Sequence, residues 1–174
     1  MKEVFLRPGE FHFGCADTRI RTLLGSCVSI TLWHPQRHVG GMCHYLLPSR
    51  TRRDGMPLDG RYADEAIQLF DQAIQRTGLP SREFEAKVFG GGNMFNAQST
   101  RPQFDIGARN VEIALQMLME RKIPVLAEHH GGKGHRKLVF DVQTGDVWIT
   151  FQNSDAEDLK KTTSSSWPLH PSTS

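Results

Sequence analysis

Two residues in this chain have the types and spacing for covalent chemistry. Cys27 ends the run Thr22-Leu23-Leu24-Gly25-Ser26-Cys27, and His44 lies in Gly41-Met42-Cys43-His44-Tyr45. A thiol with its ordinary pKa of about 8.5 is mostly protonated at neutral pH, and its thiolate is the nucleophile. An imidazole within hydrogen-bond reach takes that proton and later returns it to a leaving nitrogen. Gly25 permits a sharp turn just before the thiol. Backbone N–H groups beside Ser26 and Cys27 can then face a developing oxyanion. A third polar group must orient the ring, and Thr22 and Ser26 are the local hydroxyls. The competing account is structural. Free cysteine is among the most buried residue types, so Cys27 could fill a strand start and His44 could be a satisfied core histidine.

The elements that must position this pair are legible from periodicity. Val28, Ile30 and Leu32 alternate with Ser29, Thr31 and Trp33, the period of a half-buried strand. The segment 40–47 reads as a second short strand, so neighbouring strands could bring thiol and imidazole together. In a strand, adjacent side chains point to opposite faces, which sets Cys43 away from His44. Cys15 falls in a loop and matches no motif. Further strands are expected at 86–89, 125–127, 137–142 and 147–151. The turn Gln143-Thr144-Gly145-Asp146 joins the last two as a hairpin. Tyr62, Ala66, Ile67, Phe70 and Ile74 fall on one helical face, stopped by Gly78 and Pro80. Ile106, Val111, Ala114, Leu115, Leu118 and Met119 form a second helical face within 105–122, stopped by Pro124. Strands often adjacent in sequence, with two helices, predict an α+β fold with helices on one side of a strand-rich core.

Composition limits the function classes. The chain has 174 residues with 21 Lys+Arg against 19 Asp+Glu, a formal charge of +2. That is too near neutral to advertise a nucleic-acid or membrane surface. Three cysteines do not describe a disulfide framework. No apolar run reaches the ~18 residues of a membrane span, and the N-terminus lacks the apolar core of a secretory signal. A cytoplasmic globular protein is expected, with no nucleic-acid partner and no membrane insertion. Residues 1–152 read as the domain. Residues 153–174 read as a Ser/Thr-rich disordered tail, too poor in apolar side chains to offset ordering entropy.

Other clusters carry weaker chemistry. Glu128, His129, His130 and His135 resemble metal ligands, but their spacing matches no zinc pattern, and a structural turn or substrate contact is preferred. Neither Gly90-Gly91-Gly92-Asn93 nor Gly131-Gly132-Lys133-Gly134 is followed by the Lys-Ser/Thr of a phosphate loop. No metal and no cofactor is expected. Arg50, Arg52 and Arg53 make a basic run that reads as a solvated loop, with docking of acidic helices as the functional alternative.

Six blocks of this sequence together resemble the CheD family of bacterial chemoreceptor glutamine deamidases. They are TLLGSCVSITLWHP at 22–35, GGMCHYLLP at 40–48, GRYADEAI at 60–67, KVFGGGNMF at 87–95, IGARNVE at 106–112 and VLAEHHGGKGHRKLVFDVQTGDVW at 125–148. The resemblance implies a layered α/β/β sandwich and a cysteine hydrolase that turns receptor glutamine into glutamate with release of ammonia. It implies Cys27 as the nucleophile in the Gly-Ser-Cys motif and His44 as the base. A threonine upstream completes the family set. The family pattern puts it six positions before the cysteine, where this chain has Arg21. Thr22 is the nearest threonine, admitted by a one-residue bulge, or another group orients the ring. The resemblance also implies that Gly25, Ser26, Gly91, Gly92 and Asn93 shape the pocket or its oxyanion donors. The implied partners are cytoplasmic domains of methyl-accepting chemoreceptors, with a CheC-type phosphatase or response regulator as a regulator. A non-catalytic chemotaxis adaptor is the alternative function, and a general cysteine amidase or protease a third.

Overall fold

The computed structural model describes residues 1–94, 105–153 and 164–169. Its strands are β1 (Lys2–Leu6), β2 (Phe11–Gly14), β3 (Thr18–Leu24), β4 (Val28–His34), β5 (Val39–Cys43), β6 (Glu85–Gly90), β7 (Val125–His130), β8 (Gly134–Asp141), β9 (Val147–Asn153) and β10 (Ser164–Leu169). Helix α1 spans Ala63–Thr77 and α2 spans Ile106–Glu120. The strands form two five-stranded sheets, one ordered β1-β3-β8-β9-β10 and the other β2-β5-β4-β6-β7. We call them the outer and the middle sheet. Both helices cover the far face of the middle sheet, so the layers run helices, middle sheet, outer sheet. This is the α/β/β layering that the resemblance implies, and it agrees with the α+β class expected from periodicity. No helix among the described residues is long and apolar enough to cross a membrane.

Strand alternation builds two cores. One face of β4 presents Val28, Ile30 and Leu32 to the helices, where they meet Phe70, Ala114 and Leu118. The other face of the middle sheet sends Met42 and Phe89 against Ile20, Leu24, Leu138 and Phe140 of the outer sheet. Each such fully buried side chain contributes about 1.5–3 kcal/mol of transfer free energy. Helix α1 ends at the expected Gly78 stop, whereas α2 ends at Glu120, two residues before the expected limit at 122. Gly78 takes φ 74° at the α1 C-cap, and Asp105 accepts from the Ala108 N–H at the α2 N-cap. Arg121, just past α2, clamps Asp71 of α1 through Nε and Nη2 at 2.9 and 2.8 Å.

Three features depart from the sequence reading. The first 24 residues hold three strands where none was expected, because charged residues interrupt the apolar pattern. In β3 the alternation is nonetheless complete: Thr18, Ile20, Thr22 and Leu24 are buried, while Arg21 and Leu23 are exposed. Second, Arg50 is not a solvated loop residue. Its Nε and Nη2 both donate to the buried Glu65 carboxylate at 2.9 Å, which also accepts from the Asp59 N–H at 3.1 Å. That carboxylate is held below its ordinary pKa chiefly by the Arg50 hydrogen bonds. Third, within the stretch read as a disordered tail, Ser164–Leu169 pairs antiparallel with β9. An open strand edge offers a row of unpaired backbone groups, and that edge outweighs poor composition here. The rest of that tail beyond Asn153 lies outside the described residues.

Gly90 ties the fold to the Cys27 turn. It adopts φ 110°, and a Cβ there would run into the Cys27 carbonyl oxygen. Gly90→Ala is therefore expected to cost at least about 2 kcal/mol by strain and steric overlap, measured as a lower denaturation midpoint.

Candidate active site

The site lies between the two sheets at one end of β4. The pairing Thr31↔Met42 in β4 and β5 continues as the bridge Val28↔Tyr45. That register sets Ser29 opposite His44 and places Cys27 one diagonal step from His44, on the same face. Diagonal neighbours stand about 7–8 Å apart at the backbone, a span that an imidazole and a thiol can close. Cys27 packs against the core between the sheets, and the Ser29 hydroxyl is buried there without a partner. Cys43 takes the opposite face, as alternation predicts. It is fully buried, accepts from the Ile30 N–H at 3.4 Å, and burial pushes its thiol up to about 12. Cys15 is exposed.

Thr22 reaches the ring from the other sheet. Its Oγ1 lies 2.7 Å from His44 Nδ1 and donates to the Leu6 carbonyl at 2.9 Å. A carbonyl only accepts, and a hydroxyl has one proton. Thr22 must therefore accept from His44, so the ring proton sits on Nδ1 and Nε2 keeps a lone pair. No bulge is involved: the β3–β8 register runs unbroken from Arg19↔Asp141 to Leu24↔Arg136. Arg21, at the family's usual threonine position, faces outward.

Burial sets the resting protonation. His44 is 2% exposed, and burial lowers its pKa to about 4, against a smaller upward pull from Glu10. Burial raises the Cys27 thiol, partly offset by its own backbone N–H. At neutral pH the pair is a thiol and a neutral imidazole.

The glycine segment braces the turn. Gly91 N–H donates to the Cys27 carbonyl and Gly92 N–H to the Gly25 carbonyl, both at 2.9 Å. Those two amides are consumed, so they are supports of the Cys27 turn and not oxyanion donors. The Asn93 N–H donates to the Gly132 carbonyl at 2.8 Å. Gly91 and Asn93 line a separate cavity of about 180 Å³ with Asp105, Val111 and His130. By contrast, no backbone carbonyl among the described residues engages the Ser26 or Cys27 N–H. Met94 stands over Gly25, its sulfur 3.4 Å from where a Cβ would be.

Two residues beside the site were missed in the sequence. Asn110 of α2 is fully buried and donates from Nδ2 to the carbonyls of Leu46 at 2.7 Å and Ser26 at 3.5 Å. Its own carbonyl accepts from the Tyr45 hydroxyl. The signal was a polar residue inside the apolar stripe of a helix. Arg136 is 2% exposed and donates to His129 Nδ1 at 2.9 Å and the Gly131 carbonyl at 2.7 Å. It stacks 4.5 Å over the Phe151 ring, and burial lowers its pKa to about 10. His129 thereby serves as an acceptor for arginine. The described residues contain no cluster of ligands able to hold a metal.

The profile of the family described as CheD chemotactic sensory transduction matches residues 46–151. That span begins after both Cys27 and His44, so the match does not depend on them. The chain is similar to the probable chemoreceptor glutamine deamidase CheD 3 of Dechloromonas aromatica, at 54% identity over 158 residues, 90% of this chain and 92% of that one. It is 51% identical to the probable chemoreceptor glutamine deamidase CheD 1 of Chromobacterium violaceum over 88% of this chain and 79% of the other. The probable chemoreceptor glutamine deamidase CheD 2 of Albidiferax ferrireducens is 50% identical, over 84% and 85% of the two chains.

The Thr22 bond has a measurable signature. The His44 nitrogen spectrum is expected to show Nδ1–H at neutral pH. Thr22→Val keeps the shape but strands the buried Nδ1–H and the Leu6 carbonyl. It is expected to cost about 1–3 kcal/mol of stability and to release the tautomer. An unchanged tautomer signal in Thr22→Val would show that another group orients the ring.

Proposed function

This chain belongs to the CheD family, and we propose that it is a protein-glutamine deamidase acting on the cytoplasmic domains of chemoreceptors. The observation that carries the reading is the same-face placement of Cys27 and His44, with the His44 Nδ1–H held by Thr22 at 2.7 Å. An adaptor needs neither an aligned thiol nor a tautomer-fixed imidazole beside it. A cytoplasmic setting follows from the substrate.

The reaction divides into two proton transfers on each side of a thioester. His44 Nε2 takes the Cys27 proton as the sulfur attacks the glutamine Cδ. The amide oxygen gains the negative charge and faces the N–H groups of Ser26 and Cys27. The tetrahedral adduct collapses with C–N cleavage, and His44 delivers its proton to the departing nitrogen, which leaves as ammonia. Water then gives a proton to His44 while its oxygen attacks the thioester carbonyl. The C–S bond breaks, glutamate forms, and the proton returns to the Cys27 sulfur. Water enters as reactant, ammonia leaves, and the thiol is restored. Thr22 keeps Nε2 aimed through all steps.

Selection of the receptor glutamine rests on local shape, because the chain's net charge is only +2. The loop carrying Arg52 and Arg53 and the turn at Gly131–His135 are the segments assigned in this reading to contact the receptor surface. Control by a CheC-type phosphatase or a response regulator belongs to this same reading.

Cys27→Ala is expected to abolish ammonia release from receptor helices while the thermal midpoint stays within a few degrees of the wild type. Retained Gln-to-Glu conversion, read by mass spectrometry, would sink the assignment. The pH dependence has a definite sign. The active form holds a neutral His44, so kcat/KM is expected to persist below the ordinary histidine value of 6.5 and to fall only toward pH 4. An acid limb centred near 6.5 would contradict the buried neutral ring. The same depression couples to stability: the unfolded chain binds the His44 proton first, so stability falls as pH drops from 6.5 toward 4.

A further inference from the structure

We infer that Asn110 is a positioning residue for the reaction: its side-chain amide clamps the turn before Cys27 to the segment after His44 and so sets the distance between nucleophile and base. The inference rests on the Cys27–His44 deamidase reading and assigns a role to a helix that carries no reacting group.

Three observations support it. Asn110 Nδ2 donates to the Leu46 carbonyl at 2.7 Å and lies 3.5 Å from the Ser26 carbonyl. Ser26 immediately precedes the nucleophile, and Leu46 follows the base by two residues. Both neighbours are acceptors only, so the group facing them must be the NH2, and the amide orientation is not ambiguous. Next, the segment after His44 is held a second time, since the Tyr45 hydroxyl donates to the Asn110 backbone carbonyl. One helical residue thus holds both catalytic segments from beneath. Finally, Asn110 Oδ1 is buried without a partner. An unsatisfied acceptor in a helix–sheet core is a standing cost, and an apolar residue of similar size would avoid it. The retained asparagine therefore answers to its donor, not to core filling.

The physical effect is a limit on separation. Beyond the Val28↔Tyr45 bridge, β4 and β5 have no further ladder bond. Cys27 and Leu46 would face each other one step past that bridge, at a frayed end. Asn110 replaces the missing ladder contact with two side-chain bonds. The approach of Cys27 Sγ to the His44 ring during the reaction depends on that end staying closed.

The test compares Asn110→Leu and Asn110→Ala with Leu118→Ala, which weakens the same helix two turns from the site without touching Ser26 or Leu46. Two readouts are taken on folded protein: kcat and KM for glutamine conversion in a receptor helix, and the pH profile of iodoacetamide addition to the Cys27 peptide. Both Asn110 variants are expected to lose between about tenfold and a hundredfold in kcat with KM within about twofold. Their Cys27 alkylation is expected to slow at neutral pH, as Sγ loses the aligned acceptor for its proton. Leu118→Ala is expected to lower the thermal midpoint and leave both readouts in place. The alanine variant guards against misfolding of the bulkier leucine. An equal kcat loss in Leu118→Ala would overturn the inference, as would unchanged alkylation and kcat in either Asn110 variant. If the wild type converts no glutamine while its Cys27 alkylation still depends on Asn110, the deamidase reading fails and the positioning role stands.

Discussion

A hydrogen bond between two sheets governs this site. His44 belongs to the middle sheet and Thr22 to the outer one, and their 2.7 Å contact exists only while the sheets keep their spacing. The Thr22 proton is committed to the Leu6 carbonyl on β1, so the direction of the bond is settled by a third strand. The consequence is chemical: the ring carries its proton on Nδ1 and keeps Nε2 as the acceptor. The apolar layer of Ile20, Leu24, Met42, Phe89, Leu138 and Phe140 therefore has a positional duty beyond stability. Thinning it would move Thr22 relative to His44 before it unfolded the protein.

The nucleophile is restrained from different directions than the base. Gly91 and Gly92 take the carbonyls on either side of Ser26, and Asn110 takes the carbonyl of Ser26 itself. Three successive carbonyls at Gly25, Ser26 and Cys27 are thus turned toward the protein interior. Peptide planarity then sets the N–H groups of Ser26 and Cys27 opposite the carbonyls of Gly25 and Ser26. The oxyanion pocket proposed at this turn would follow from holding the opposite ends of the same peptide units. Gly90 must lack a side chain for this to work, because its Cα lies against the Cys27 carbonyl.

Much of this was legible in the sequence, and the parts that were not share one physical cause. Strand alternation alone separates Cys43 from His44, and the structure puts them on opposite faces. Both helices, the hairpin between β8 and β9, and an α+β class with helices on one side of the strands were readable from apolar periods and turn residues, while the α/β/β layering followed from the family resemblance. The strand β3 was not, because Arg19 and Arg21 mask the buried alternation of Thr18, Ile20, Thr22 and Leu24. Overlooking that strand left the orienting role of Thr22 open between a bulge and another group. Asn110 and Arg136 escaped for the same reason. A buried polar residue is defined by partners far away in the sequence, here Ser26, Leu46, His129 and Gly131. Periodicity reports which face a residue lies on and is silent about what it meets there.

The resting state of the pair bears on the chemistry it suits. Many sulfur nucleophiles are stored as thiolates beside a cation. Here burial acts on both partners, lowering His44 to about 4 and raising Cys27, so the charge-separated pair is disfavoured until substrate arrives. The two groups together hold one mobile proton in either form. Burial of His44 moves gain of a second proton down in pH, and burial of Cys27 moves loss of the single one up, so the two events are pushed apart. For the proposed amide hydrolysis that single proton is sufficient: it would leave the thiol, wait on Nε2, and go to the departing nitrogen. A stored thiolate would exist in the free enzyme and meet other electrophiles and oxidants. In the proposed mechanism a neutral thiol ionises only as it attacks the carbonyl carbon, and the N–H groups of the turn would meet the charge that appears on the oxygen. The burial that makes the ion pair costly in the free protein therefore also directs the nucleophile toward the substrate that completes the site.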